Sequence, residues 1–422
     1  MKWLALLFAL GAGVPWLAGK AAESAKVRRW IAGLIAFELF NPEHINLISE
    51  ETYRGDSRGI EITTVDLLVL ALHVAQRRRG ITAPSGRRFL IPRILYFLAY
   101  LASLSASPNI QRSLYSVWKL TRMYFAFSVL ATAFLELELV QASLQGLAVG
   151  VVSQGLLALQ QKYLHHAVRV TGSQSHPNSL AMLVNFIAPV AFSLLLSGAG
   201  TRITLAVFAL AGACDVFSLS RGGMMMFALG SVLVAIASLT RGVTARKTKI
   251  LAALGAGGVV AIAWSAKTII QRFTNAPKES ELARKLFNLA AHAMADDHPF
   301  GIGVNMYSYV LSHAGYADRF HIDPGDRDGI AHHIYWLTAA ETGYVGLATY
   351  LILLVTVYVA GVRAALGKGL RAEIAVGIVV GLTTTYMQGT AEWIGRQTTM
   401  AYCFWMFAAM ISAFRVREAI RH

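Results

Sequence analysis

The chain has 422 residues, of which 55% are hydrophobic and 14% charged. A soluble globular chain carries roughly 25% charged residues, so the composition excludes a soluble domain and points to a polytopic membrane protein. Lys+Arg 38 against Asp+Glu 23 give a formal net charge of +15. Basic residues gather in the cytoplasmic loops of membrane proteins, so that excess needs no nucleic-acid partner and none is expected.

Apolar stretches near the ~20 residues that a spanning helix needs fall at about 2–19, 28–41, 62–77, 89–106, 114–138, 143–160, 178–197, 202–219, 222–239, 248–266, 334–362, 372–389 and 395–415. The second and third are short, so the expectation is an all-α fold of about 12 transmembrane helices. The N-terminus has the look of a signal peptide, but further apolar segments follow, and it reads as an uncleaved first span. The organisation expected is N-terminal membrane helices over 1–266, a large extracytoplasmic loop with short helices over 267–333, and C-terminal membrane helices over 334–422. There is no repeat at a solenoid period, and no pair of Gly/Pro-broken segments of the inverted-repeat kind.

Loop charges orient the chain. Residues 76–93 hold six arginines and no acid, and 240–249 hold Arg241, Arg246, Lys247 and Lys249 without an acid. The 363–371 turn and the C-terminal tail are basic too. All four are expected in the cytoplasm. The acid-rich 42–61 loop, residues 161–177, the turn at Ser220 and the 267–333 loop then fall outside.

Groups with chemistry to offer gather on that outer side. Arg221 opens a helix behind Ser220, a plausible N-cap. A cation is unfavourable at that end of the helix dipole, and a bound anion would offset it. Residues 281–295 read as an amphipathic helix with Leu282, Leu286, Leu289 and Ala290 on its apolar stripe and Arg284 off it. His298 to Gly303 is a Pro/Gly turn that lacks the Lys-Ser/Thr of a phosphate-binding loop. His332 and Tyr335 share a helix face by their spacing, and histidine titrates near neutrality. His332 and His333 are neighbours and lack the spacing of a metal pair, so no metal is expected there. Cys214 and Cys403 lie in apolar runs and offer neither a zinc spacing nor a disulfide framework. Asp66, Lys119, Arg122, Asp215 and Glu392 lie within or close to apolar stretches. Most sit near predicted helix ends, so no proton relay through the bilayer is indicated.

Four motifs in order carry a family resemblance: Gly172 through His176-Pro177-Asn178, Ser220-Arg221-Gly222-Gly223, His298-Pro299-Phe300-Gly301-Ile302-Gly303, and His332-His333-Ile334-Tyr335 followed by Ala340-Glu341-Thr342-Gly343. With the many apolar stretches, this pattern resembles the O-antigen ligase superfamily, which includes lipopolysaccharide O-antigen ligases, O-antigen polymerases and bacterial O-glycosylation ligases. His333 stands where the family pattern has Asn, and His176 where an Asn before Pro is common.

The resemblance implies a membrane glycosyltransferase of the GT-C type in the bacterial inner membrane, with its active site facing the periplasm. The donor it implies is an O-antigen glycan on undecaprenyl diphosphate, the acceptor a sugar hydroxyl of lipid A–core, and the reaction inverting and metal-independent, with no cofactor. In that scheme His332 is the base and Arg221 and Arg284 hold the diphosphate, with Arg169 and Arg272 behind them. Tyr335, Glu341 and Asn178 are supporting residues. Two rival readings remain at this stage. A polymerase of the same superfamily would use a second lipid-linked glycan as acceptor, and a lipid-linked glycan transporter would also use arginines on an anionic head group.

Overall fold

The computed structural model describes residues 2–81, 84–274 and 278–419. In chain order, α1 (Lys2–Glu23) and α2 (Ala25–Glu38) precede a hairpin of β1 (His44–Ser49) and β2 (Gly59–Thr63). Then come α3 (Thr64–Arg78), α4 (Leu90–Ser103), α5 (Ile110–Ala133), α6 (Leu137–Tyr163), α7 (Pro177–Ser197), α8 (Arg202–Ser218), α9 (Arg221–Leu239) and α10 (Ala245–Thr274). After α11 (Lys278–Asp297) and the short α12 (Tyr307–His313) and α13 (Tyr316–Arg319), the chain ends in α14 (Ile334–Ala365), α15 (Leu370–Gln388) and α16 (Thr398–Ala419).

A helix stands over every one of the apolar stretches expected to span. Among the described residues six helices are long and apolar enough to cross a membrane: α1, α6, α7, α9, α14 and α15. Their starts follow the local chemistry. Thr63 and Asp66 form a reciprocal capping box on α3, Ser220 Oγ accepts the Gly223 N–H at 3.2 Å on α9, and Asn109 Oδ1 accepts the Arg112 N–H at 3.2 Å on α5.

Two features depart from the sequence expectation. Among the described residues the regular elements are helical except for one antiparallel hairpin, paired from His44↔Thr63 to Ser49↔Gly59 with an irregularity between Asn46 and Ile48. Its alternating Ile45, Leu47, Ile60 and Ile62 carry the period of a strand, while the acids in and around it give the segment the composition of a loop. On α11 the buried face is Phe287, Ala290, Ala291 and Met294, while Leu282 and Leu289 are 56% and 51% exposed. The stripe is rotated because alanines, not leucines, permit close approach to the loop core.

The chain packs into two compact units, each discontinuous in sequence. One holds Met1–Gly146, Glu279–Ala360 and Gly389–His422, and the other Leu147–Lys278 and Gly361–Gln388. In the first unit, the α11 face packs with Tyr53, Ile302, Met306, Tyr307, Val310, Leu337 and Ala340 into one apolar cluster. This cluster roots the long loop on the start of α14. In the second, α7 is the central helix, buried along nearly its whole length and packed by α8, α9 and α15.

Candidate active site

The start of α14 gives its two histidines different work. His333 Nδ1 accepts the N–H of Trp336 at 3.2 Å, so His333 caps the helix. Burial pushes its imidazole pKa down, which keeps the acceptor nitrogen unprotonated. His332 Nδ1 instead lies 3.2 Å from Glu392 Oε2. The other oxygen of that carboxylate lies 3.3 Å from Arg284 Nη1 on α11. Glu392 is 5% exposed, whereas the side chains of His332 and Arg284 are 22% and 34% exposed. One buried carboxylate therefore joins the two residues singled out as base and anion binder, and leaves both within reach of solvent or substrate.

The loop from 389 to 397 that presents Glu392 is fixed by Arg396. Its Nη2 lies 3.0 Å from Asp56 Oδ2 and 2.7 Å from Glu341 Oε2. Asp56 also meets Lys119 Nζ at 3.1 Å and accepts from Ser116 Oγ at 2.5 Å. Burial opposes ionisation of Asp56, but the Lys119 and Arg396 charges outweigh it and hold the carboxyl well below the usual range. Glu341 is 2% exposed and accepts the Tyr307 N–H at 3.2 Å. The structure thus places Glu341 in the Arg396–Asp56 network that carries the loop. Tyr335 packs its ring 5.7 Å from that of His333 and 6.5 Å from that of Tyr350.

The glycine motifs make one joint. At Gly343 the backbone leaves the helical region, with φ 72° and ψ 176°. The break frees α14 carbonyls, and the 299–303 turn answers them. Ile302 N–H donates to Ala340 at 3.0 Å, Gly303 N–H donates to Glu341 at 3.1 Å, and Tyr344 N–H donates back to the Pro299 carbonyl at 3.1 Å. Approach is so close that a Cβ on Gly301 would lie 2.5 Å from the Glu341 carbonyl oxygen, and one on Gly343 would lie 2.3 Å from that of Pro299. Both glycines have positive φ, which side chains disfavour. Next in the chain, Asn305 also has positive φ; its side chain donates to the Ser57 and Arg112 carbonyls, each at 2.8 Å, and ties the turn to the hairpin loop and α5.

The second unit holds the other candidates. Arg169 Nε donates to the Ser218 carbonyl at 2.9 Å and its Nη2 to Asn178 Oδ1 at 3.0 Å. Asn178 N–H in turn donates to His176 Nδ1 at 3.1 Å, so His176 caps α7 where the family pattern has Asn. Three residues past Ser218, half-buried Arg221 opens α9. Gly223 there is packed so tightly that a Cβ would meet Asp215 Oδ1 at 2.5 Å and Ala181 at 2.6 Å. Arg169, Asn178 and the Ser218–Arg221 turn thus form one patch. Arg272 is on α10, and its side chain lies outside the described residues.

The structure therefore brings His332 and Arg284 together in one unit, and Arg169 and Asn178 beside the Arg221 turn in the other. Glu392, Arg396 and Asp56 stand at the first of these sites and were not among its expected residues. The short Glu392-Trp393-Ile394-Gly395-Arg396 run between two apolar helices was the available signal.

No curated protein matches the chain. Residues 205–351 match the family model described as O-antigen ligase. That span takes in the Ser220 turn, Arg284, the 298–303 turn, His332 and the Gly343 break, and leaves out residues 169–178 and the Glu392 loop. Over residues 205–351 the resemblance of this chain to the O-antigen ligase superfamily holds.

Proposed function

We propose that the protein is an O-antigen ligase. It transfers a glycan from undecaprenyl diphosphate to a sugar hydroxyl of lipid A–core, as an inverting and metal-independent glycosyltransferase. The observation that carries this reading is the convergence of a reachable imidazole, His332, and a reachable guanidinium, Arg284, on one buried carboxylate. A sugar hydroxyl is a poor nucleophile and gains from a base as it attacks. The acceptor oxygen forms its bond to the anomeric carbon as the bond to the diphosphate oxygen breaks. The hydroxyl proton passes to His332, and undecaprenyl diphosphate departs with the bonding pair. Arg284 offers the planar, permanently charged fork suited to that leaving group, and Arg221, Arg169 and Arg272 are kept as further donor-binding residues. Tyr335, Glu341 and Asn178 serve as supports.

The architecture proposed with it is a GT-C-type enzyme of about 12 spans in the inner membrane, its active site on the periplasmic face. The helix over each apolar stretch supports that count. The decisive experiment is transfer by purified protein in detergent, with lipid-linked glycan as donor and either lipid A–core or a second lipid-linked glycan as acceptor. Glycan joined to lipid A–core is the expected product. Chain growth on the second glycan lipid alone would make the protein a polymerase, and no transfer with either acceptor would overturn the enzymatic reading.

A further inference from the structure

We propose that Glu392 is a positioning residue for this transfer, acting through His332 while it shares Arg284 with the donor. The inference rests on the reading of His332 as the base.

Its first ground is hydrogen-bond chemistry. A carboxylate held in an ion pair only accepts, and Glu392 is paired at its second oxygen with the Arg284 guanidinium, 3.3 Å away. The His332 nitrogen that faces it at 3.2 Å is Nδ1. That nitrogen therefore carries the hydrogen, and Nε2 is left as the basic atom. As Nε2 takes the acceptor proton, the imidazolium that forms still has its counter-charge beside it, so the same contact orients the base and stabilises its product.

The second ground is rigidity. Glu392 is 5% exposed. Four residues on, Arg396 is held by Asp56 and Glu341, and its carbonyl accepts from Lys119 Nζ at 3.1 Å. The Gly389 carbonyl at the start of the loop accepts the N–H of Ile334, two residues past His332. The loop is thus fastened at both ends, one of them to the helix that begins beside His332. A carboxylate held in this way restricts the imidazole to one orientation without further ordering when substrate arrives.

The third ground is the position of Arg284. Its pair with Glu392 is a single contact, and its side chain is 34% exposed. A guanidinium has five donors, so Arg284 can receive a phosphate oxygen on its open side. Glu392 contributes a negative charge next to that site. Removing the charge should not weaken the binding of an anionic donor, although it should impair the base.

The test is Glu392→Gln in the full-length protein, beside His332→Ala and the double variant, with kcat and donor KM measured for transfer from lipid-linked glycan. Glu392→Gln should insert normally, lose kcat by at most the ~10²–10⁴-fold that a general base supplies, and keep or lower the donor KM. The double variant should be no slower than His332→Ala alone, because both changes remove the same contribution. Losses that multiply would overturn the proposal, as would a raised KM with unchanged kcat, or a wild-type rate in Glu392→Gln beside an impaired His332→Ala. A wild-type rate in His332→Ala would instead overturn the functional reading. Should Glu392→Gln fail to insert, Glu392→Asp retracts the charge by one methylene and should lose kcat with its donor KM held; the opposite split overturns the proposal.

Discussion

Two adjacent histidines make the sharpest contrast at the scale of single residues. His333 is spent on the backbone: it accepts the Trp336 N–H and caps α14. His332 faces a carboxylate. His332→Ala should lose transfer by about 10²–10⁴-fold in a normally inserted protein. His333→Ala should cost about 1 kcal/mol of stability, the worth of a helix cap, and leave most of the rate. Parallel transfer assays and detergent melting curves check both, and the reverse pattern would mean that His333 is the base. The candidate residues that were legible in sequence are those embedded in local patterns, such as His332 before a long apolar run. Glu392 was not, because its meaning comes from a partner 60 positions away; in sequence it is one acid at the edge of an apolar helix. Glu341 shows the converse. Expected from the resemblance as a supporting residue, it is buried and takes its counter-charge from Arg396, a partner that no local pattern pointed to.

At the scale of elements, the break in α14 and the 299–303 turn are one construction. Each exists because the other satisfies its backbone groups. A methyl at Gly301 or Gly343 would meet backbone atoms well inside contact distance, in addition to about 1–2 kcal/mol for left-handed backbone. Gly301→Ala and Gly343→Ala should therefore lower the melting temperature and the yield of folded protein. Gly325→Ala, at a glycine with nothing near its absent Cβ, should change neither. Equal behaviour of all three would show that the joint carries no stability. Helices were legible here because length and apolarity suffice to specify a span. The hairpin escaped because its strands, of six and five residues, are short and most of the segment's acids, Glu43, Glu50, Glu51 and Asp56, flank them and give it the composition of a loop. The Gly343 break escaped because glycine is common in membrane helices, and only the incoming turn distinguishes a break from a tolerated glycine.

For the whole molecule, contacts sort the loops of each unit into two sets. In the first unit, Lys2 reaches the Asn46 carbonyl at 2.8 Å, Arg112 meets Glu50 at 2.7 Å and Arg396 meets Asp56 at 3.0 Å, all at the hairpin. Arg28 and Arg79 instead share Glu136, beyond the far ends of α3 and α5. In the second unit, Arg169 joins residues 169–178 to Ser218, while Arg241 pairs with Glu373 at 2.6 Å. These sets are the ones that loop charge separates, and one labelling experiment fixes the side for each set of the first unit. A cysteine at Asp326 should react with an impermeant thiol reagent added outside the cell, and one at Arg87 should not. The native Cys214 and Cys403 are buried. Labelling at Arg87 alone would invert the topology and place the histidine in the cytoplasm.

The loop fastened by Arg396 also has a consequence in time. A chain is made from its N-terminus, and every residue of the four family motifs has been synthesised by Gly343. Glu392 and Arg396 follow only after another span, and α16 is later still. Until they arrive, His332 lacks its carboxylate and Asp56 lacks one of its two cations. Under the proposed function, a nascent protein that already carries the recognisable signature therefore has an unfinished base, which the loop after α15 completes.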